Sequence, residues 1–138
     1  GVGKVDAFDT DERMLKRSRL ATAKLRNIQL SNYSATQIPA ADASYDLVFD
    51  YQVFHHIDDW PAAIREVHRV MKPNAQLLIA ESLPGLIEGS WWGRRMDHPK
   101  ENRFTAIELQ SALQSIGFRL SPSRIIGDHF IWLVATKA

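Results

Sequence analysis

Hydrophobic and polar positions in the first part of the 138-residue chain predict three strands and a helix. Val5–Asp9 is a short β-type run, and Ile28–Leu30 begins a second one. Asp46–Tyr51 has an uninterrupted apolar middle, which is typical of a strand that is buried on both faces. Between the first two strands, Thr10 can cap a helix that has carboxylates in its first turn. The small-to-apolar face of this helix is formed by Met14, Ser18, Ala21 and Leu25.

The next segment predicts a helix and another buried strand. The helix is predicted to start at Asp58, Asp59 and Pro61. Backbone N–H groups in the first turn of a helix have no partner within the helix, so proline, which lacks an N–H, costs little there. Lys72-Pro73 ends the helix. Leu77–Ala80 is then a short apolar run, as expected of a strand inside a sheet. The apolar face of the helix is formed by Ile64, Val67, Val70 and Met71.

Residues 82–103 form a long connection, after which the pattern predicts a last helix and a hairpin. Phe104-Thr105 opens the helix, and Gly117 follows its end. The two closing strands, around Phe118–Ile126 and Phe130–Thr136, are joined by a turn too short for a crossover helix, so they should pair antiparallel. The apolar positions of the last helix are Ile107, Leu109, Leu113 and Ile116.

The order of these elements determines the expected fold class. Strand, helix, strand, strand, helix, strand is the order of an α/β protein with a mostly parallel, doubly wound sheet and helices on both faces. The closing strands add an antiparallel hairpin. No internal repeat or change of composition divides the chain, so we expect a single domain over residues 1–138.

Composition and charge exclude several functional classes. The chain has no cysteine, which excludes a disulfide scaffold, a thiolate metal site and a cysteine nucleophile. Its 17 Lys and Arg residues against 16 Asp and Glu residues give no bulk attraction to nucleic acid or anionic lipid, so we expect neither as a partner. No apolar run approaches the roughly 20 residues that span a bilayer, and no signal peptide opens the chain, so we expect a soluble, cytoplasmic protein.

Ligands of open α/β sheets bind at the carboxyl ends of the strands. Three such ends are Asp9–Asp11, Tyr51–Val53 and Glu81–Leu83. In nucleotide-binding folds, an acid at the end of the second strand can accept hydrogen bonds from ribose hydroxyls, and Asp9 has that placement. The alternative is that Asp9 only helps to cap the following helix, alongside Thr10.

Four segments resemble one protein family in their order and spacing. Residues 38–49, Ile-Pro-Ala-Ala-Asp-Ala-Ser-Tyr-Asp-Leu-Val-Phe, are similar to the LPF-x-D-x-SFDLV segment of class I S-adenosylmethionine-dependent methyltransferases. His55–Trp60 resembles the LHH-x-x-D motif of that family, and Glu66–Ala75 resembles its E-x-x-R-V-L-K-P-G-G motif. Phe104-Thr105, together with Gly117-Phe118, matches its late FT…GF region. The resemblance covers roughly residues 4–136 and is to the small-molecule branch called type 11.

The resemblance implies a Rossmann-like fold with S-adenosylmethionine as the cofactor. Asp9 would bind the ribose of the cofactor, with Thr10 next along the same edge. Ser34 and Ala35 would touch the adenine, although Ser34 stands where the family usually has a carboxylate. The residues implied to border the methionine moiety are Tyr51, Gln52 and Val53.

Candidates for the chemistry follow from the same placement. His55, His56 and Tyr51 are the nearest candidates for the general base that an oxygen or carbon acceptor would need. We expect no metal site, because adjacent histidines project differently and no third residue has ligand spacing. Loops at this edge carry substrate specificity in doubly wound folds. The long connection lies there, and its candidate contacts to a small-molecule methyl acceptor are Trp91, Trp92 and Arg94.

The chain departs from the family at its first motif. A glycine-rich loop should lie about 20 residues before the ribose acid, whereas Gly3 is separated from Asp9 by only five residues. A smaller departure is Asn74-Ala75, which replaces Gly-Gly, and asparagine still tolerates a left-handed turn.

The missing motif affects the expected sheet. By resemblance the strand order would be 3-2-1-4-5-7-6, and this chain would lack strand one. Strands two and four would then lie about 9–10 Å apart, with inner edges whose unpaired backbone groups are costly to bury. We expect an N-terminally truncated domain that upstream residues complete. The alternatives are direct pairing of strands two and four, or a strand supplied by another chain, in a homo-oligomer or by a partner.

Three functional hypotheses follow. The first is an S-adenosylmethionine-dependent methyltransferase that acts on a small molecule. The second is a methyltransferase-like scaffold or binding module that has lost cofactor binding. The third is a nicotinamide-dependent enzyme, which would share the ribose acid, but the motif residues Asp42–Asp46 and Arg69–Pro73 argue against it.

Overall fold

A computed structural model of the chain describes residues 3–89 and 103–138. The described elements are seven strands, four helices and a short 3-10 turn. In chain order they are β1 (Val5–Phe8), α1 (Glu12–Ala21), β2 (Ile28–Ser31), β3 (Tyr45–Tyr51), the 3-10 turn (Phe54–His56), α2 (Trp60–Val70), β4 (Met71–Ser82), α3 (Pro84–Gly89), α4 (Ala106–Ile116), β5 (Phe118–Leu120), β6 (Arg124–Ile126) and β7 (Phe130–Lys137).

The strands form two hydrogen-bonded sheets. β1 and β2 pair in parallel, and β3 pairs in parallel with β4. β7 pairs antiparallel with β4 on one side and with β5 and β6 on the other. The resulting orders, β2-β1 and β3-β4-β7-β5, each reproduce a part of the order expected from the resemblance, in which the absent strand one stands between β1 and β3. The α/β class and the antiparallel C-terminal hairpin are therefore confirmed.

The strands on either side of the open position do not pair with each other. In the described ranges β1 pairs only with β2, and β3 pairs only with β4. One side-chain contact links them near their amino ends, where the hydroxyl of Tyr45 donates to Asp6 Oδ2 at 3.1 Å. Direct pairing of the two strands, one of the alternatives considered, is thus not the arrangement that the chain adopts.

One face of β3 is open, contrary to the prediction that both would be buried. Leu47, Phe49 and Tyr51 project from the same face and are 52%, 65% and 64% exposed. Val48 and Asp50 project from the opposite face, and Asp50 is buried. An apolar run predicts two covered faces only if other elements pack on both sides of the strand. The described residues pack on one side of β3.

The core lies on that covered side, where α2 and α4 pack. The predicted α2 face is confirmed for Ile64, Val67 and Val70, which are buried. Met71 is buried as well, but it is the first residue of β4 and not part of the helix. Asp59 caps α2 by accepting the N–H of Ala62 at 3.0 Å, as its position predicted. The core residues contributed by the strands and by α4 include Leu77, Ile79, Ile131, Leu133, Leu109 and Leu113.

Two predicted helix faces are partly wrong. Helix α1 ends at Ala21, where Thr22 N and Oγ1 both donate to the Ser18 carbonyl, so Leu25 lies beyond the helix and is exposed. The residue of α1 that is buried is Leu15, one position from the expected Met14, and the cap is Asp11 rather than Thr10.

In α4, Leu109 and Leu113 are buried as predicted, but Ile107 is 76% exposed. Thr105 and Glu108 form a reciprocal capping box that sets the start of this helix.

Two positions with a left-handed backbone were predicted correctly, with φ values of 63° at Asn74 and 113° at Gly117. The predicted strand Phe118–Ile126 is divided into β5 and β6 by a segment that contains Pro122, which has no N–H to donate.

Arg69 ties α2 to the loop that precedes β3. Its guanidinium donates to the carbonyls of Ile38 and Ala40 at 2.9 and 2.8 Å, and to Asp42 Oδ1 at 2.7 Å. Glu66 accepts from the same guanidinium and from Ile38 N. The Arg69 hydrogen bond lowers the pKa of Glu66. The Glu66–Arg69 pair of the third motif is therefore a clamp on this loop.

None of the described helices is long and apolar enough to cross a membrane, since the longest have 11 residues.

Arg69→Lys tests the clamp. Lysine keeps the charge but lacks the planar fork that serves two carbonyls and two carboxylates at once, so we expect the free energy of unfolding to fall. Urea denaturation would measure it. Arg65→Lys, an exposed position on the same helix, is the control and should change stability by less than about 0.5 kcal/mol. Equal losses in the two variants would contradict the clamp.

Candidate functional site

A buried carboxylate lies where β3 and β4 end. Glu81, near the end of β4, is fully buried. Its Oε1 accepts the backbone N–H of Val53 at 2.7 Å and that of Phe54 at 2.6 Å. Its Oε2 is hydrogen-bonded to Nδ1 of His55. One carboxylate therefore contacts three consecutive residues of the connection between β3 and α2.

Asp50, the second acid of this cluster, has a different environment. It is 4% exposed, and within the described part of the chain neither of its carboxylate oxygens has a hydrogen-bond partner. Burial raises the pKa of Asp50 well above its ordinary value, and the charge of Glu81 raises it further. Negative charge is thus disfavoured on Asp50.

Gln52 turns the chain sharply at the end of β3. Its φ is 59°, a left-handed conformation that is unusual outside glycine. Its backbone N and its side-chain Nε2 both donate to the carbonyl of Ala80, at 2.9 and 3.2 Å, and its Oε1 accepts from the hydroxyl of Ser82. These contacts hold Gln52 in place and leave its neighbours Tyr51 and Val53 exposed.

The two adjacent histidines differ in burial. His55 is buried against Glu81, whereas His56 is exposed. Their ring centroids are 4.1 Å apart, with an interplanar angle of 39°. The structure therefore brings His55, Gln52 and the Tyr51–Val53 segment together with Glu81, in one cluster at the carboxyl ends of β3 and β4.

Asp9 lies at the carboxyl end of β1, in the other sheet. Its Oδ1 accepts the N–H of Asp11 at 2.8 Å, so Asp9 contacts the residue that caps α1 but is not itself the cap. Its Oδ2 accepts no hydrogen bond from the described residues, and the side chain is partly buried. The ribose role of Asp9 stays a prediction. Thr10, beside it, is exposed, and its carbonyl lies 3.5 Å from Asn32 Nδ2.

The predicted adenine contacts follow β2. The hydroxyl of Ser34 is 2.7 Å from that of Thr36 and accepts the Thr36 N–H, while Ala35 packs against the core. No hydrogen bond among the described residues joins this region to the Glu81 cluster. These assignments also stay predictions. Three further candidates, Trp91, Trp92 and Arg94, lie outside the described residues.

An open groove of about 660 Å³ lies between the first turns of α2 and α4. It is lined by Asp58–Pro61, Arg103, Ile107, Glu108 and Ser111, and by none of the predicted site residues. The candidate site is therefore defined by its side-chain chemistry and its place at the strand ends, not by this groove.

Sequence reasoning did not assign a role to Glu81 or to Asp50. The signal was present, because Glu81 closes an apolar run at a predicted strand end, and Asp50 is an acid within another such run. An acid at the end of a buried strand must either accept hydrogen bonds or stay protonated, because burying an unpaired charge is costly. Glu81 accepts hydrogen bonds, and Asp50 has a raised pKa.

Solved structures match this fold over nearly the whole chain. A SAM-dependent methyltransferase from Aquifex aeolicus gives a TM-score of 0.76 at 25% identity, covering 99% of this chain and 70% of that chain. One from Mesorhizobium loti gives 0.78 at 16% identity, covering 99% and 82%. The [4+2]-cyclase SpnF gives 0.80 at 16% identity, covering 98% and 67%. The fold is the Rossmann-like fold of class I methyltransferases, and the cyclase shows that it also serves another reaction.

A family model described as a methyltransferase domain matches residues 1–79, more than half of the chain. The chain belongs to this methyltransferase domain family, and the resemblance to class I S-adenosylmethionine-dependent methyltransferases is confirmed. The matched residues include Asp9 and the Tyr51–Val53 segment.

Curated relatives match over a shorter length. A demethylmenaquinone methyltransferase of Staphylococcus epidermidis is 35% identical over 80 residues, which are 58% of this chain and 33% of that protein. One from Listeria monocytogenes is 33% identical over 89 residues, covering 63% and 38%. The chain thus spans little more than a third of the length of the curated relatives it matches.

Asp50→Asn tests the second acid. Because the pKa of Asp50 is raised in the folded protein, the folded state binds more protons than the unfolded chain above about pH 4, the ordinary aspartate value. Wild-type stability should therefore fall, relative to the variant, as pH rises from there through the folded pKa. The difference in unfolding free energy between the variant and the wild type should grow by about 1.4 kcal/mol for each pH unit between the pKa of Asp50 in the unfolded chain and its pKa in the folded protein.

Urea denaturation of both proteins at several pH values between 4.5 and 8.5 would measure this difference. The control is Asp46→Asn, an exposed position in the same strand, for which we expect no gain in relative stability at high pH. A stability difference for Asp50→Asn that does not change with pH would show that Asp50 titrates normally.

Proposed function

We propose that the chain is part of a catalytic domain that transfers a methyl group from S-adenosylmethionine to a small-molecule acceptor. The observation that carries this proposal is the open position between β1 and β3, which has Asp9 at the carboxyl end of one flanking strand and the Tyr51–Val53 segment at the end of the other. All these residues lie in the part of the chain that the methyltransferase family model matches.

The residues available at these strand ends suit different parts of the cofactor. Asp9 has a carboxylate oxygen, Oδ2, that can accept hydrogen bonds from ribose hydroxyls. Ser34 and Ala35 would lie on the adenine side, and Thr10 on the adjoining edge. Three residues would border the methionine moiety: Tyr51, Gln52 and Val53.

When bound, S-adenosylmethionine supplies a methyl group already activated by a positively charged sulfur. The chain then has mainly to hold the reactants and exclude water, which can provide most of the acceleration. An acceptor that must lose a proton also needs a base within hydrogen-bond reach. His55, His56 and Tyr51 remain the candidates, and among them His55 has its ring oriented by a carboxylate.

A small-molecule acceptor is supported by the names of the curated relatives, which are demethylmenaquinone methyltransferases. We infer an acceptor of similar size for this chain, with Trp91, Trp92 and Arg94 as its proposed contacts.

We also propose that cofactor binding requires a strand between β1 and β3. The support is the pair of open strand edges and the exposed apolar face of Leu47, Phe49 and Tyr51. Backbone groups on such edges are costly to bury unpaired. Residues upstream of Gly1 are the proposed source of this strand, and another chain is the alternative source.

The second candidate function is a scaffold module without cofactor binding. It is favoured by the local contacts of two predicted cofactor residues. Asp9 Oδ1 already accepts a backbone N–H, and the Ser34 hydroxyl already bonds to Thr36. Cofactor titration separates the two functions.

Calorimetric titration with S-adenosylhomocysteine should be carried out on this chain and on the chain extended by the upstream residues of its reading frame. We expect micromolar binding that is stronger in the extended protein. In the protein that binds, Asp9→Ala should weaken binding by about 1.5–3 kcal/mol, the value of a charge-assisted hydrogen bond.

Asp46→Ala is the matched control, because Asp46 is an exposed acid at the opposite end of β3, and binding should be unchanged. Absence of binding in both proteins would reject the methyltransferase proposal in favour of the scaffold. Unchanged affinity in Asp9→Ala would remove Asp9 from the site.

A further inference from the structure

We propose that Glu81 is the positioning residue of the candidate site, which holds the backbone of the Val53–His55 segment and determines which nitrogen of His55 is basic. The importance of this segment for methyl transfer rests on the proposed function above. The contacts themselves do not, since they involve only residues of this chain.

The first argument is the number of donors that meet at one side chain. Glu81 accepts the N–H groups of Val53 and Phe54 on one oxygen and Nδ1 of His55 on the other. A fully buried carboxylate requires such partners, since its desolvation is otherwise very costly. Asp50 is nearby and also buried, but the same two N–H groups lower its pKa less than burial and the charge of Glu81 raise it. The segment is therefore held by Glu81 specifically.

The second argument is where Glu81 is attached. β4 is paired on both sides, with β3 and with β7, and Glu81 itself stands in register with Ile131 of β7. The segment that it holds follows β3, whose other edge is open. The Val53–His55 segment, on the side proposed for the cofactor, is thus held by a residue of β4, which is paired on both edges. This attachment makes its position less dependent on the neighbouring open edge.

The third argument concerns the protonation of His55. A carboxylate only accepts hydrogen bonds, so in the neutral imidazole the proton must be on Nδ1, and Nε2 carries the lone pair. Partners of this kind fix the tautomer and the orientation of a histidine ring. Glu81 would thereby make Nε2 the nitrogen that can accept a proton.

Glu81→Gln separates these two effects. Glutamine keeps one oxygen for the two backbone N–H groups and places an amide N–H₂ against Nδ1. That amide can only donate, so Nδ1 must become the acceptor and the proton must move to Nε2. The variant Glu81→Ala removes both effects. Glu88→Gln makes the same chemical change at an exposed glutamate and is the matched control.

The test uses the full chain, ¹⁵N-labelled and without cofactor. Long-range ¹H–¹⁵N spectra of the imidazole at about pH 8 report the tautomer, and hydrogen exchange reports protection of the Val53 and Phe54 amides. We expect Nδ1–H in the wild type and in Glu88→Gln, and Nε2–H in Glu81→Gln. Amide protection should be retained in Glu81→Gln and should fall at least tenfold in Glu81→Ala.

An Nε2–H tautomer in the wild type, or Val53 and Phe54 amides that exchange at unprotected rates there, would overturn the proposal even if no variant folds. An unchanged tautomer in Glu81→Gln would overturn it as well. These results are independent of the function. A chain that shows the expected tautomers but binds no S-adenosylhomocysteine in extended form keeps the positioning role and loses the methyltransferase assignment. A chain that binds it with the opposite wild-type tautomer loses only the positioning role.

Discussion

Backbone hydrogen bonding along the inner edges of β1 and β3 is the constraint on which this structure depends. Within residues 3–89 and 103–138, each of these strands is paired on one side only, and β3 also presents an exposed apolar face. A parallel strand of this composition is normally covered on both faces and paired on both edges. The Tyr45–Asp6 hydrogen bond is a side-chain link and satisfies none of those backbone groups. One inserted strand would satisfy both edges at once, which explains why two separate sheets keep the order of a continuous one.

The same constraint affects how charge is buried at the strand ends. Where β3 and β4 end, the backbone N–H groups of the following turn no longer have strand partners, and a carboxylate can collect them. Glu81 does so, and the stabilisation it receives leaves Asp50 as the acid that resists ionisation. The two acids thus differ because Glu81 accepts three hydrogen bonds, whereas burial and the charge of Glu81 raise the pKa of Asp50.

The parts of this fold that the sequence predicted well are those with local signals. Asp59 and Pro61 specify the start of α2, Thr105 and Gly117 specify the two ends of α4, and the spacing of Ile64, Val67 and Val70 defines a buried face. Each of these features depends on residues within a few positions of each other.

The predictions that were wrong depend on distant or absent neighbours. Whether Met14 or Leu15 is buried is decided by what packs on α1, and the exposure of Phe49 is decided by a layer that the described residues do not provide. The role of Glu81 joins residues 26–28 positions apart. Periodicity carries no information on such a contact. The motif that contains Arg69 was recognised by resemblance, but its role as a clamp on Ile38 and Ala40 was not predicted.

Under the proposed function, the cofactor site would be shared between the two sheets, and this has a thermodynamic consequence. Asp9 belongs to the sheet of β1, while Glu81 and Gln52 belong to that of β4 and its neighbours. In a continuous sheet the two flanking strands would be separated by twice the interstrand spacing, roughly 9.5 Å. A ligand that contacts both sides favours that separation, and a strand that fills the position enforces it. Each must therefore strengthen the binding of the other, because both stabilise the same arrangement of the two sheets.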